Sequence, residues 1–101
     1  MARIVVTEDS DRDLDALLLD LAGKAGVPVA IRYNGLFESL YDRLAAHPAI
    51  GASRLALGRD IRVGIVTPYI VIYHYDPSDD VVTILPIVHG RRRINRDLMP
   101  G

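Results

Sequence analysis

The stretch from Arg59 to Arg93 constrains this chain more than any other. It reads RDIRVGIV, then TPY, then IVIYHYDPSDDVVTILPIVHGRRR. Three runs rich in β-branched and aromatic residues are separated by two breaker clusters, Thr67-Pro68 and Asp76-Pro77-Ser78-Asp79-Asp80. Branched side chains pack well on a pleated surface, so each run is predicted to be a strand. The connections are too short for a crossover helix, and neighbouring strands are therefore expected to be antiparallel.

Alternation assigns the faces. Ile61, Val63 and Ile65 point one way, with Asp60, Arg62 and Gly64 opposite. In the second run Tyr69, Val71, Tyr73 and Tyr75 oppose Ile70, Ile72 and His74. The third, Val81 to His89, is apolar on both faces. Proline is disfavoured inside a central strand, so Pro86 implies a bulge or an unpaired N–H.

Upstream, Arg3 to Val6 reads as a short first strand. Thr7 is placed to cap a helix whose first turns hold Glu8, Asp9, Asp11 and Asp13, next to the positive end of its dipole. Leu14, Leu17, Leu18 and Leu21 form one apolar stripe at i, i+3, i+4 and i+7, and Gly26 suits the helix end. Pro28 can open a second helix, in which Tyr33, Phe37, Leu40, Tyr41 and Leu44 share a face. The apolar period keeps its phase across Asn34-Gly35, so a single continuous helix is predicted, ending at His47-Pro48. Ala49 to Gly58 reads as a connecting loop, and the tail beyond Arg93 as one helical turn or an unstructured end.

These elements predict an α+β domain spanning residues 1–101. An antiparallel four-stranded sheet, in the order β-α-α-β-β-β, is packed on one face by an N-terminal helical hairpin. One hairpin covers one face only, while the central strands are apolar on both. A partner is therefore expected over part of the sheet.

Charge narrows the functional classes. The formal net charge is −1, so no global field draws the chain to nucleic acid. Eleven of the twelve basic residues are Arg, and four fall between Arg91 and Arg96. Arginine suits bidentate pairing with phosphate or carboxylate better than lysine does. With no cysteine, a disulfide framework and thiolate metal sites are excluded, and a reducing cytoplasm fits. The leucine-rich run Leu17–Leu21 is far too short to span a bilayer, so no membrane association is expected. The three histidines lack metal-site spacing, and no cofactor motif is present.

The order of elements and several short motifs resemble the RelE/ParE superfamily of bacterial type II toxins. The matching stretches are LAAHPAIG (residues 44–51) with Arg54, LGRDIR (57–62), PYIVIY (68–73) and VHGRR (88–92). The similarity runs over nearly the whole chain and favours the ParE-like side. The mRNA-cleaving branch tends to be strongly basic, with Lys, Arg, His or Tyr lining a groove. Here no lysine follows Lys24 and no tyrosine follows Tyr75. The resemblance implies a growth-inhibiting toxin that binds a target, DNA gyrase, and is neutralised by a cognate antitoxin protein. The alternative it leaves open is a ribosome-dependent mRNA endoribonuclease.

Candidate target-binding residues are Arg59, Arg62, His89, Arg91, Arg92 and Arg93. For the nuclease alternative the catalytic candidates are His89, Arg62 and Arg91, since His can act as general acid or base near neutrality. The plainer reading of His89 is a strand-end cap, and that of Arg62 a surface charge paired with Asp60 or Asp76. Tyr69, Tyr73 and Tyr75 share a face that either stacks bases or packs in the core. Asp76 to Asp80 reads as a turn rather than a calcium loop. The antitoxin is expected to cover the sheet face and the arginines, with a homodimer as the alternative occupant.

Overall fold

The computed structural model of the chain describes residues 1–90, so the expectations for Arg91, Arg92, Arg93 and the tail fall outside the described residues. The order is β1 (Arg3–Val6), α1 (Glu8–Ala25), α2 (Val27–Ala46), β2 (Ala52–Ser53), a 3-10 turn (Leu55–Leu57), β3 (Ile61–Val66), β4 (Tyr69–Asp76) and β5 (Val81–His89). The α+β class, the helical hairpin on one face and the three-stranded meander are as the sequence predicts. Two details of the sheet are corrected. It has five strands rather than four, in the order β1-β5-β4-β3-β2, and it is mixed rather than antiparallel. The extra strand is the two-residue β2, inside the predicted connecting loop, and β1 pairs in parallel with β5.

Each helix begins and ends for a local reason. The Thr7 side chain accepts a hydrogen bond from the Ser10 N–H at 3.2 Å, satisfying one of the free donors at the start of α1. The same hydroxyl donates to the Ile84 carbonyl at 2.7 Å, so the cap also ties α1 to β5. Gly26 joins the helices at φ 98°, a conformation that a side chain would strain. Helix α2 runs unbroken through Asn34-Gly35, with the Asn34 amide donating to Glu38 one turn on.

The core lies between the hairpin and the sheet. Phe37, Leu40 and Leu44 of α2 meet Val71, Tyr73, Val82, Ile84 and Ile87. Full burial of each aliphatic or aromatic side chain contributes about 1.5–3 kcal/mol. Leu40 comes so close to β3 that a Cβ on Gly64 would lie 3.0 Å from its Cδ1, which is why a glycine fits there. On the opposite face Ile61, Val63, Ile72, Leu85 and Val88 form a second buried cluster with Leu57 of the 3-10 turn. The strand faces thus follow the alternation in the sequence.

Pro86 sits at a bulge. Val71 pairs with Ile87 but Tyr73 pairs with Ile84, so β5 carries one residue more than β4 across this step. The Ile87 N–H is met by a side chain instead, Asp13 Oδ2 of α1 at 3.2 Å. A partly buried donor left unmet would be costly, so this contact ties α1 to the bulge.

Candidate functional site

The meander delivers the candidate residues to separate places. His89 ends β5 opposite Tyr69. Its ring meets the Tyr69 ring edge-on at 5.7 Å, and Tyr69 in turn contacts Tyr33 and Phe37 at 5.8 and 6.0 Å. The Tyr33 hydroxyl donates to the Thr67 carbonyl at 3.2 Å, anchoring this ladder to the β3–β4 turn. Gly90 then donates to the Pro68 carbonyl at 2.6 Å. A Cβ there would sit 2.8 Å from that oxygen, so His89-Gly90 is a close approach of backbone to backbone. Ile65, Thr67, Pro68, Tyr69, Ile70 and His89 line a shallow cavity of about 400 Å³ at this end.

Arg62 occupies a different place. Its Nη1 donates to the carbonyls of Ala49 and Gly51 at 3.1 and 2.8 Å, not to Asp60 or Asp76. Tyr73, its register partner on β4, is fully buried. The Tyr73 hydroxyl donates to the Pro48 carbonyl at 2.8 Å and accepts from the Gly51 N–H at 3.0 Å. Burial pushes the phenol's pKa up, against the opposing effects of the Gly51 hydrogen bond and the Arg62 charge, so the neutral donor is retained. Two side chains thus hold residues 48–51, the segment that leads into β2.

The two catalytic candidates within the described residues are not brought together. Arg62 and His89 are separated by four residues along the strands, roughly 13 Å, and by two strand spacings, roughly 10 Å. Arg59 is exposed in the turn before β3, at the opposite end of the sheet from His89, roughly 20 Å away along the strands. Tyr73 is core and not a stacking surface. Asp76 Oδ1 accepts from the Ser78 N–H and Oγ at 3.0 and 2.7 Å, which closes a tight turn; these bonds, the Ser78 hydroxyl's first, lower its pKa. Among the described residues no group of three His, Asp or Glu converges as metal ligands, and no helix is long and apolar enough to cross a membrane.

Sequence reasoning missed the clasp on residues 48–51. A buried Tyr in a central strand signals a hydroxyl that needs a partner, and Gly51 signals a place where a side chain is excluded. A Cβ at Gly51 would lie 2.5 Å from the Tyr73 oxygen. Neither signal names the other.

Comparison with known proteins agrees with this fold. Residues 4–94 match the family described as ParE toxin of type II toxin-antitoxin system, parDE. The chain is 34% identical over 98 residues to Toxin ParE3 of Caulobacter vibrioides, covering 97% of this chain and 96% of that one. Among solved structures it resembles a chain of the chromosomal ParDE toxin–antitoxin system from P. aeruginosa, with TM-score 0.72 and 19% identity over 88% of this chain and 96% of that one. It also resembles a chain of the toxin–antitoxin complex RelBE2 from Mycobacterium tuberculosis, with TM-score 0.62 and 18% identity over 87% of this chain and 96% of that one. At those identities the two structures bear on the fold.

Proposed function

The chain belongs to the ParE toxin family of type II toxin–antitoxin systems, and from that premise we propose that it arrests growth by binding DNA gyrase rather than by cutting mRNA. The observation that carries this reading is the use of Arg62. Its guanidinium is spent on the Ala49 and Gly51 carbonyls and stands far from His89. General acid–base cleavage needs its groups within hydrogen-bond reach of one reacting centre. Binding has no such requirement. It needs only an accessible surface, and His89 with the arginines that follow it, Arg91, Arg92 and Arg93, is the surface proposed for target contact. Arg59 lies at the far end of the sheet and would touch the same target only if the target is large.

A ParE-family toxin is neutralised by an antitoxin, and both structural relatives come from toxin–antitoxin systems. The proposed setting is the bacterial cytoplasm, where gyrase and a co-produced antitoxin are both available.

Induced expression followed in parallel by a DNA-damage reporter and by transcript mapping tests the reading. Growth arrest with a DNA-damage response and intact transcripts is expected, together with inhibition of gyrase supercoiling by the purified chain. Rapid transcript loss without DNA damage would establish the nuclease alternative instead. Substituting Arg91, Arg92 and Arg93 together by Ala is expected to abolish toxicity; undiminished arrest would remove them from the target surface.

A further inference from the structure

The sheet face away from the hairpin has one open end. Ile65, Ile70 and Val88 are register partners across β3, β4 and β5, so their side chains share that face. Val88 is 5% exposed, Ile70 is half-buried against the second cluster, and Ile65 is 54% exposed. Burial therefore falls along a single row. Its open end, Ile65 and Ile70, is one wall of the cavity of about 400 Å³ beside the β3–β4 turn. Thr67, Pro68, Tyr69 and His89 also line that cavity, and no carboxylate does.

The cavity is formed by held groups. The Gly90 N–H donates to the Pro68 carbonyl at 2.6 Å, and the Tyr33 hydroxyl donates to the Thr67 carbonyl at 3.2 Å. The Tyr69 ring is braced by Tyr33, Phe37 and His89. A pocket fixed before binding needs little ordering when a side chain enters it. Past Gly90 the chain continues as Arg91-Arg92-Arg93. Covalent geometry alone keeps the Arg93 Cα within about 11 Å of that of Gly90. An apolar cavity is thus followed at once by three positive charges.

We propose that this cavity anchors the target, taking one branched or aromatic side chain from a protein loop whose flanking carboxylates pair with Arg91, Arg92 and Arg93. The inference rests on the gyrase reading above and adds the place of contact and the chemistry of the target's loop. The two parts have different tasks. A buried apolar anchor mainly slows dissociation, whereas charges around it speed association and make it salt-dependent. Nucleic acid suits the cavity less well. The described lining holds no Lys or Arg, and its one tyrosine ring already packs against three others, which leaves a base little to stack on. A second copy is also a poor occupant, since two-fold pairing about the cavity would set each copy's three arginines against the other's.

The test follows association and dissociation of the full chain with purified gyrase holoenzyme, without DNA, at two salt concentrations. Wild type is compared with Thr67→Trp, which fills the cavity from an exposed position, and with Ile65→Glu, which sets a carboxylate in its wall. Leu19→Glu makes the same kind of change at an exposed leucine of α1, outside the cavity. Both cavity variants are expected to raise Kd about tenfold or more through faster dissociation, and Thr67→Trp should keep the wild-type salt dependence. Leu19→Glu should leave Kd unchanged. Replacing Arg91, Arg92 and Arg93 by Ala should instead slow association and flatten the salt dependence. If Ile65→Glu fails to fold, Thr67→Trp still decides, because position 67 is exposed in a turn. Wild-type binding to gyrase with unchanged dissociation in Thr67→Trp overturns the anchor alone. Binding that requires DNA, or a free-chain dimer that Thr67→Trp dissolves, gives the cavity to another occupant and overturns it too. If wild type neither binds gyrase nor inhibits supercoiling, the gyrase reading fails and this inference with it.

Discussion

Arg62 and Tyr73, register partners on β3 and β4, reach the same loop from adjacent strands and make four hydrogen bonds to it. Tyr73 bonds Pro48 and Gly51, and Arg62 bonds Ala49 and Gly51. The pair closes the sheet at one edge and fixes where β2 begins. An arginine that the sequence offers as a catalytic or target-binding candidate thus has a structural use.

Tyr73→Phe removes the hydroxyl and strands the Gly51 N–H and the Pro48 carbonyl beneath the loop. The expected cost is about 1–3 kcal/mol, which for a chain of this size lowers Tm by roughly 4–8 °C per kcal/mol. Thermal and urea unfolding of the two proteins measures it. An unchanged Tm would mean that the loop is not held by this hydroxyl.

Arg62→Ala is expected to destabilise by about 1.5–3 kcal/mol, the range for hydrogen bonds from a charged group. Because both side chains act on the same loop, the loss should not add to that of Tyr73→Phe. A double-mutant cycle should return a coupling of about 0.5 kcal/mol or more. Purely additive losses would separate the two residues.

Asp13→Ala leaves the Ile87 N–H unmet at the Pro86 bulge and is expected to cost about 1–3 kcal/mol. Asp13→Asn keeps an acceptor oxygen and should cost less. Hydrogen exchange should accelerate at Ile87 in the alanine variant and not in Asn34-Gly35 of α2. Equal behaviour of the two variants would show that the carboxyl oxygen is not what satisfies the bulge.

Tyr41 carries a buried hydroxyl without a hydrogen-bond partner among the described residues. Burial, and secondarily the Asp11 carboxylate, push its pKa up to about 12. Its unfolded value is about 10. Between those two pH values the unfolded chain has lost the proton that the folded chain keeps, so stability falls as pH rises through this window. Tyr41→Phe is expected to flatten that part of the stability–pH curve. It should also be neutral or stabilising at pH 7, by up to about 1 kcal/mol, because an unmet buried polar group is removed. A marked loss at pH 7 would show that the hydroxyl has a partner in solution.

Much of this fold is legible in the residues because its cues are local. The leucine spacing of α1, the Thr7 cap, the unbroken apolar phase across Asn34-Gly35 and the two-residue alternation of β3 and β4 each depend on neighbours within a turn or a pleat. Pro86 is equally local, since a proline cannot donate to a ladder, and the bulge follows at that place. The sites are less legible. His89 and Arg62 both lie on strands whose faces are readable, but alternation says nothing about the distance between them or about which carbonyl a guanidinium will find.

Residue order by itself determined the helical hairpin, the meander and which side of each strand is apolar, because the period of hydrophobic residues is a property of the local backbone. Tertiary structure alone decided the rest. β1 joins the sheet beside β5 in parallel, across 77 residues between Thr7 and Ile84. Asp13 answers a donor 74 residues away, and Tyr73 and Arg62 close a loop that precedes them by 22 and 11 residues at Gly51. A side chain's hydrogen-bonding capacity is written in its chemistry, but its partner is selected only when folding brings distant backbone within about 3 Å.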